Sequence, residues 1–170
     1  QFGTALNVSY VSPGAGSTGK VAELRNIYCD SDSGSVGAFR YGIKLKNLPG
    51  IRVINPRLEG LPGLTTTKAG AGIYCETWLN GPMFTRWKIR GFKDPILVTD
   101  ENELVAADFQ AEGYVIVDGQ AQACDSGVRV DIRQVEIAWH ICRNNFDTAY
   151  SGIVARNLQD VICTDNFFGH

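Results

Sequence analysis

The sequence predicts an all-β chain, folded as a single-domain antiparallel β-sandwich of jelly-roll type held by disulfides. Apolar and polar residues alternate with period two in short runs. Turn-forming residues punctuate those runs, among them 19 glycines. No segment carries a helical stripe with a cap, a stop and sufficient length. Many short strands separated by turns point to two packed antiparallel sheets.

Phe2, Thr4, Leu6, Val8 and Tyr10 share one face of the first run. Residues 1–12 thus form an N-terminal strand, and 13–19 a Gly/Pro/Ser connector of the flexible kind. Residues 20–170 form the sandwich. Within it, Lys20 to Cys29 reads as a strand with poor alternation, and Phe39, Tyr41, Ile43 and Leu45 as one with a clean apolar face. Ile51 to Leu58 is extended, and Asn55-Pro56 suits an edge or bulge. Leu61 to Gly72 reads as an exposed loop. Asn80-Gly81 between two apolar runs predicts a hairpin, and Asp118-Gly119 predicts another. Ile96 to Thr99 and Leu104 to Phe109 are short strands around an acidic turn. In the longest run, Val128, Val130 and Ile132 fall on even positions, but Val135, Ile137, Trp139 and Ile141 fall on odd ones. The inward face therefore switches near Gln134, as at a bulge or where a strand changes sheet. Ile153 to Leu158 and Val161 to Thr164 read as final strands. No internal repeat is evident.

Composition narrows the function. The 170 residues are 44% hydrophobic and 20% charged, which fits one globular domain. The net charge is −2 and the isoelectric point about 5.7, so the chain lacks the basic field that nucleic acid would want. No apolar run is long enough to span a membrane. The five cysteines, Cys29, Cys75, Cys124, Cys142 and Cys163, are dispersed and contain no CxxC pair. They read as a disulfide framework with one thiol over, and hence as a secreted, extracellular protein. Gln1 in place of Met fits a mature product freed of a signal peptide.

Candidate sites are few. Asp30-Ser31-Asp32-Ser33-Gly34 alternates carboxylates before a glycine, as loops around Ca2+ do. Asp100, Asp118 or Asp125 of another loop could complete such a site, and the dense acidic turn Asp100-Glu101-Asn102-Glu103 could hold Ca2+ itself. The twelfth position from Asp30 is Tyr41 and not Glu, so the run is no EF-hand. His140 lies opposite Trp139 on its strand and reads as a surface residue; His170 is terminal. Trp78, Trp87 and Trp139 suit burial, or stacking on sugars. Arg86, Lys88 and Arg90 share one strand face, as do Arg40, Lys44 and Lys46.

Without catalytic equipment, the expected function is a secreted, non-catalytic module for extracellular assembly or adhesion. Its N-terminal strand, through Phe2, Leu6, Val8 and Tyr10, would add to a neighbouring copy and build a filament, with Ca2+ as a possible aid. A Ca2+-dependent glycan-binding module is the second reading, with surface glycans as partners. The third rests on residue order: Arg25 and Arg40, then Thr65-Thr66-Thr67, then Glu101-x-Glu103. That order resembles the Arg, Ser-Thr-Ser, Glu-x-Glu pattern of ADP-ribosyltransferase toxins, with threonine where that family has serine. The resemblance implies a secreted toxin enzyme with Glu103 orienting a ribose hydroxyl.

Overall fold

The computed structural model describes residues 4–9, 22–30, 40–46, 48–60, 69–76, 79–100 and 112–169. The elements are β1 (Thr4–Ser9), β2 (Glu23–Arg25), β3 (Tyr28–Asp30), β4 (Tyr41–Lys46), β5 (Arg52–Ile54), β6 (Arg57–Glu59), β7 (Ala69–Glu76) and β8 (Met83–Thr85). They continue with β9 (Lys88–Arg90), β10 (Phe92–Thr99), β11 (Val115–Val117), β12 (Gln120–Glu136), β13 (Trp139–Cys142), β14 (Asn145–Leu158), β15 (Val161–Thr164) and β16 (Phe167–Gly169). No helix long and apolar enough to cross a membrane occurs among these residues.

All the strand pairs are parallel. β2, β5, β8, β11, β13 and β15 form one sheet, here face A. The other sheet bends through the long strands β12 and β14 into two ladders. Face B holds β3, β6, β9, the starts of β12 and β14, and β16. Face C holds β1, β4, β7, β10 and the later parts of β12 and β14. The chain visits A, B and C in turn, so each circuit is one coil of a parallel β-solenoid. The two sheets wrap a single core in a nearly closed, barrel-like stack. An antiparallel sandwich is therefore the wrong architecture. Period-two alternation reports one buried face and is silent on strand direction.

A repeat does exist, in an eight-residue unit that joins A to B. It begins at Glu23, Arg52, Met83, Val115, His140 and Ile162, positions that stack in register. The second residue of each unit is apolar: Leu24, Val53, Phe84, Ile116, Ile141 and Cys163. So is the seventh: Cys29, Leu58, Ile89, Ala121, Phe146 and Phe168. Face C adds Ile43, Ile73, Ile96 and Val128, and one step on Leu45, Cys75, Val98 and Val130, all buried. These ladders make the core.

The fourth residue of each unit turns the corner in the left-handed region: Asn26, Asn55, Arg86, Asp118, Arg143 and Asp165, with φ between 53° and 57°. Asn and Asp tolerate that conformation better than other side chains. The first five corner amides each bond the coil that follows. Asn26 N donates to Ile54 O at 3.0 Å, Asn55 N to Thr85 O at 2.9 Å, and Arg86 N to Val117 O at 3.2 Å. Asp118 N and Arg143 N continue the series to Cys142 O and Thr164 O. The expected hairpins are therefore absent. Asp118-Gly119 is an A-to-B corner. Asn80-Gly81 is a turn stacked between coils, where Gly50 N donates to Asn80 O and Gly81 N to Glu112 O. The change of sheet comes later than Gln134: β12 keeps its sheet through Glu136, Ile137 is exposed, and Trp139 and Ile141 are buried from β13.

The expected disulfides are also absent, and all five cysteines are free. Cys29 lies on face B and Cys75 on face C; Cys124 lies between B and C within β12. Cys142 and Cys163 share face A, but Cys163 stands level with Ile141 and Cys142 with Thr164. One step out of register points two side chains to opposite faces of the strand. Burial pushes the Cys75 thiol far above its ordinary value, so it behaves as a small core residue.

Trp87 is fully buried beneath the next coil's corner. A Cβ on Gly119 would stand 1.8 Å from Trp87 Cε2, so only glycine lets the indole lie there. Gly119→Ala is expected to destabilise by about 1–3 kcal/mol through overpacking, read as a lower midpoint in urea at unchanged m-value.

Candidate functional site

Outward positions on face B form two rows. The first is Tyr28, Arg57, Lys88, Gln120, Asn145 and Phe167; the second is Asp30, Glu59, Arg90, Gln122, Asp147 and Gly169. Parallel strands put row neighbours about 4.8 Å apart. A concavity of about 200 Å³ opens beside Tyr28 and Arg57, and two others open further along the rows. One of about 160 Å³ is lined by Arg57, Glu59, Lys88, Arg90, Gln120 and Gln122, over Leu58 and Ile89. The other, of about 470 Å³, lies at the A-to-B corner of the later coils. Its lining includes Trp87, Asp118, Arg143, Asn144, Asn145, Asp165 and Phe167. Both include Lys88 and Gln120, so they form one groove.

The corner is braced by buried amides. Asn144 Nδ2 donates to Ile116 O and to Asn166 Oδ1, each at 3.0 Å, and Asn144 Oδ1 accepts from Gly119 N at 3.0 Å. Asn166 Nδ2 donates to Ile141 O at 2.7 Å. At the groove's rim Arg143 Nε and Nη2 bond the Asp118 carboxylate at 2.7 and 3.1 Å. That hydrogen-bonded guanidinium holds the Asp118 carboxyl below its ordinary value.

Charge is arranged differently on face C. Lys44 and Lys46 meet Glu76, Arg156 meets Asp131 at 3.1 Å, and Arg133 meets Asp100 at 2.9 Å. On face B, Arg57 stands directly opposite Lys88. Like charges opposed across strands cost roughly 0.2–1 kcal/mol. The fold carries that cost at the centre of the groove.

A buried carboxyl lies elsewhere. Asp94 is 3% exposed, accepts from the Ser126 hydroxyl and lies 3.9 Å from Arg129. Burial raises its pKa; the Ser126 hydrogen bond and Arg129 oppose the rise without cancelling it. None of these concavities includes it in its lining.

The structure disperses the residues singled out for metal. Asp30 is on face B, accepting from the Tyr28 hydroxyl at 3.3 Å. Asp100 is bound by the backbone amide and guanidinium of Arg133. Asp125 lies in β12, near enough to Asp94 to act on its charge. Among the described residues no group of three His, Cys, Asp or Glu side chains gathers around a metal position. Asp32, Glu101 and Glu103 lie outside the described residues, as do Phe2, Tyr10, Trp78, the connector 13–19 and the threonines 65–67. Arg25 pairs with Glu23. Leu6 and Val8 lie in their own chain's sheet, level with Ile43 and Leu45. Trp139 is buried and stacked on Tyr114 at 4.1 Å, and His140 is exposed. Lys88 and Arg90 were legible as one strand face; Arg57 beside them was not, because a whole coil of sequence separates them. No family model, curated protein or solved structure matches this chain.

Asp94 binds its proton more tightly in the folded than in the unfolded chain. The stability this confers is complete below the ordinary value of 3.8 and is lost as pH rises through the raised folded value. Asp94→Asn carries no charge at any pH. It is expected to melt above the wild type at pH 7, with the gap closing below pH 3.8, in thermal denaturation followed by circular dichroism.

Proposed function

We propose that this chain is a non-catalytic adhesion module that holds a linear glycan lengthwise along face B. The observation that carries the reading is the continuous outward row from Tyr28 to Phe167, which runs across the coils and opens into one groove. Gln120, Gln122 and Asn145 offer amides that donate to and accept from hydroxyls. Tyr28 and Phe167, 62% and 64% exposed at the two ends of the row, offer rings on which sugar faces stack. The backbone of face B is bonded coil to coil, so recognition falls to side chains. Glycoside hydrolysis needs one carboxyl kept protonated beside a second. In this groove Asp118 is held ionised by Arg143, which favours binding over cleavage. The free thiols remove the redox argument for secretion. An extracellular location now follows from the ligand alone.

Assembly is a second reading, favoured by the sixth coil. There Phe168, at an inward position, is 56% exposed, and Ile162 of β15 is 47% exposed. A further coil laid on it, from a second copy, would continue the core and the three ladders. β1 itself is paired within its own chain, so this route uses coil edges and not an exchanged strand. A monomer at all concentrations in sedimentation removes this reading.

A glycan array is expected to return linear chains. Gln120→Ala with Asn145→Ala is expected to weaken the best of them about tenfold, the sum of two hydrogen bonds at about 0.5–1.5 kcal/mol each, with the melting temperature unchanged. An array without a single hit contradicts the reading.

A further inference from the structure

Resting on that reading of face B, we infer that the ligand is an acidic polysaccharide whose carboxylate or sulfate groups sit on Arg57, Lys88 and Arg90. Arg57 and Lys88 are register partners on adjacent coils, and Arg90 lies two residues beyond Lys88 on the same outward face. All three side chains are exposed and line one concavity, together with one carboxylate, Glu59, the register partner of Arg90. The local balance is thus two positive charges on a chain whose total is −2. A cation pair held on adjacent coils repeats at about 4.8 Å. That step is comparable to the repeat of a linear pyranose chain, so two successive acidic units meet Arg57 and Lys88, with Tyr28 and Gln120 on the flanking coils. Guanidinium groups suit this task because their planar fork takes carboxylate or sulfate with two parallel bonds.

Two other polyanions fit less well. A nucleic acid asks for a broad basic field, and for aromatics among the cations on which bases stack. Here no aromatic stands between the cations: Tyr28 lies beyond Arg57 and Phe167 beyond Asn145, and the net charge is negative. An acidic peptide would gain most by adding a strand, but β6 and β9, which carry the three cations, are paired on both sides. The polysaccharide is the occupant that uses the cations and the neighbouring Gln120 and Gln122 together.

The test is titration calorimetry of the whole chain with three probes: an oligogalacturonate, a neutral dextran oligomer and oligo(dT). The oligogalacturonate is expected to bind, more weakly as salt rises, and the dextran at least tenfold more weakly. Arg57→Gln, Lys88→Gln and Arg90→Gln combined should lower oligogalacturonate affinity at least tenfold while the melting temperature holds or rises. Arg156→Gln, an exposed cation on face C paired with Asp131, should leave the oligogalacturonate affinity unchanged. Equal affinity for dextran, or indifference to the triple substitution, overturns the acidic ligand and leaves the glycan reading standing. Preference for oligo(dT) overturns both. So does failure to bind either saccharide together with an empty glycan array.

Discussion

The amide of each corner residue donates to a carbonyl of the next coil, and this bond holds the A and B strands of successive coils in one register. It is made with the corner residue in the left-handed region, from Asn26 to Arg143. Because the corner never changes length, the residues on either side of it cannot slip. A slip by one residue would turn Leu58, Ile89 and Phe146 outward and bring Arg57 and Lys88 into the core. Loops elsewhere in the coil vary in length without consequence for faces A and B. Register at the corner is thus the constraint from which core, groove and charge pattern all follow.

The groove is a product of that register. Residues distant in sequence become neighbours because they hold the same place in the unit. Arg57 and Lys88 are the sixth residues of two units, Glu59 and Arg90 the eighth. Ion pairs across coils dominate face C, where Glu76, Asp94, Asp100 and Asp131 each meet a cation. On face B the same geometry sets Arg57 opposite Lys88, beside the Glu59–Arg90 pair. Parallel stacking amplifies whichever choice the sequence makes, since each side chain has a partner directly above and below. The braced corner keeps the groove wall rigid, with Asn144 and Asn166 satisfying backbone groups that the turn would leave bare.

Alternation made the buried faces legible in the sequence: Val128, Val130 and Ile132, then Trp139 and Ile141 across a corner. Strand direction was not legible, because antiparallel and parallel ladders share period two. The repeat was hidden by three things. Coils differ in length, so the unit recurs at unequal intervals. Arg86 and Arg143 stand where Asn or Asp would have advertised the corner. Pro56 and Gly119, at the next position, imitate an edge strand and a hairpin. Cysteines were misread for a related reason: in a solenoid they are simply small inward residues, scattered because each ladder takes one apolar side chain per coil. Lys88 and Arg90 were visible as one strand face, yet their meaning depends on Arg57, which only register brings beside them.

The account rests on the outward row being straight and evenly stepped. Spin labels introduced as a genetically encoded amino acid at position 28, paired in turn with 120, 145 and 167, measure that row in solution. Electron–electron distances should lengthen with every step, by about 5 Å per coil, the spacing of parallel strands. Distances that shorten or alternate along the series would mean that these strands are not stacked coil on coil, and the groove would go with them.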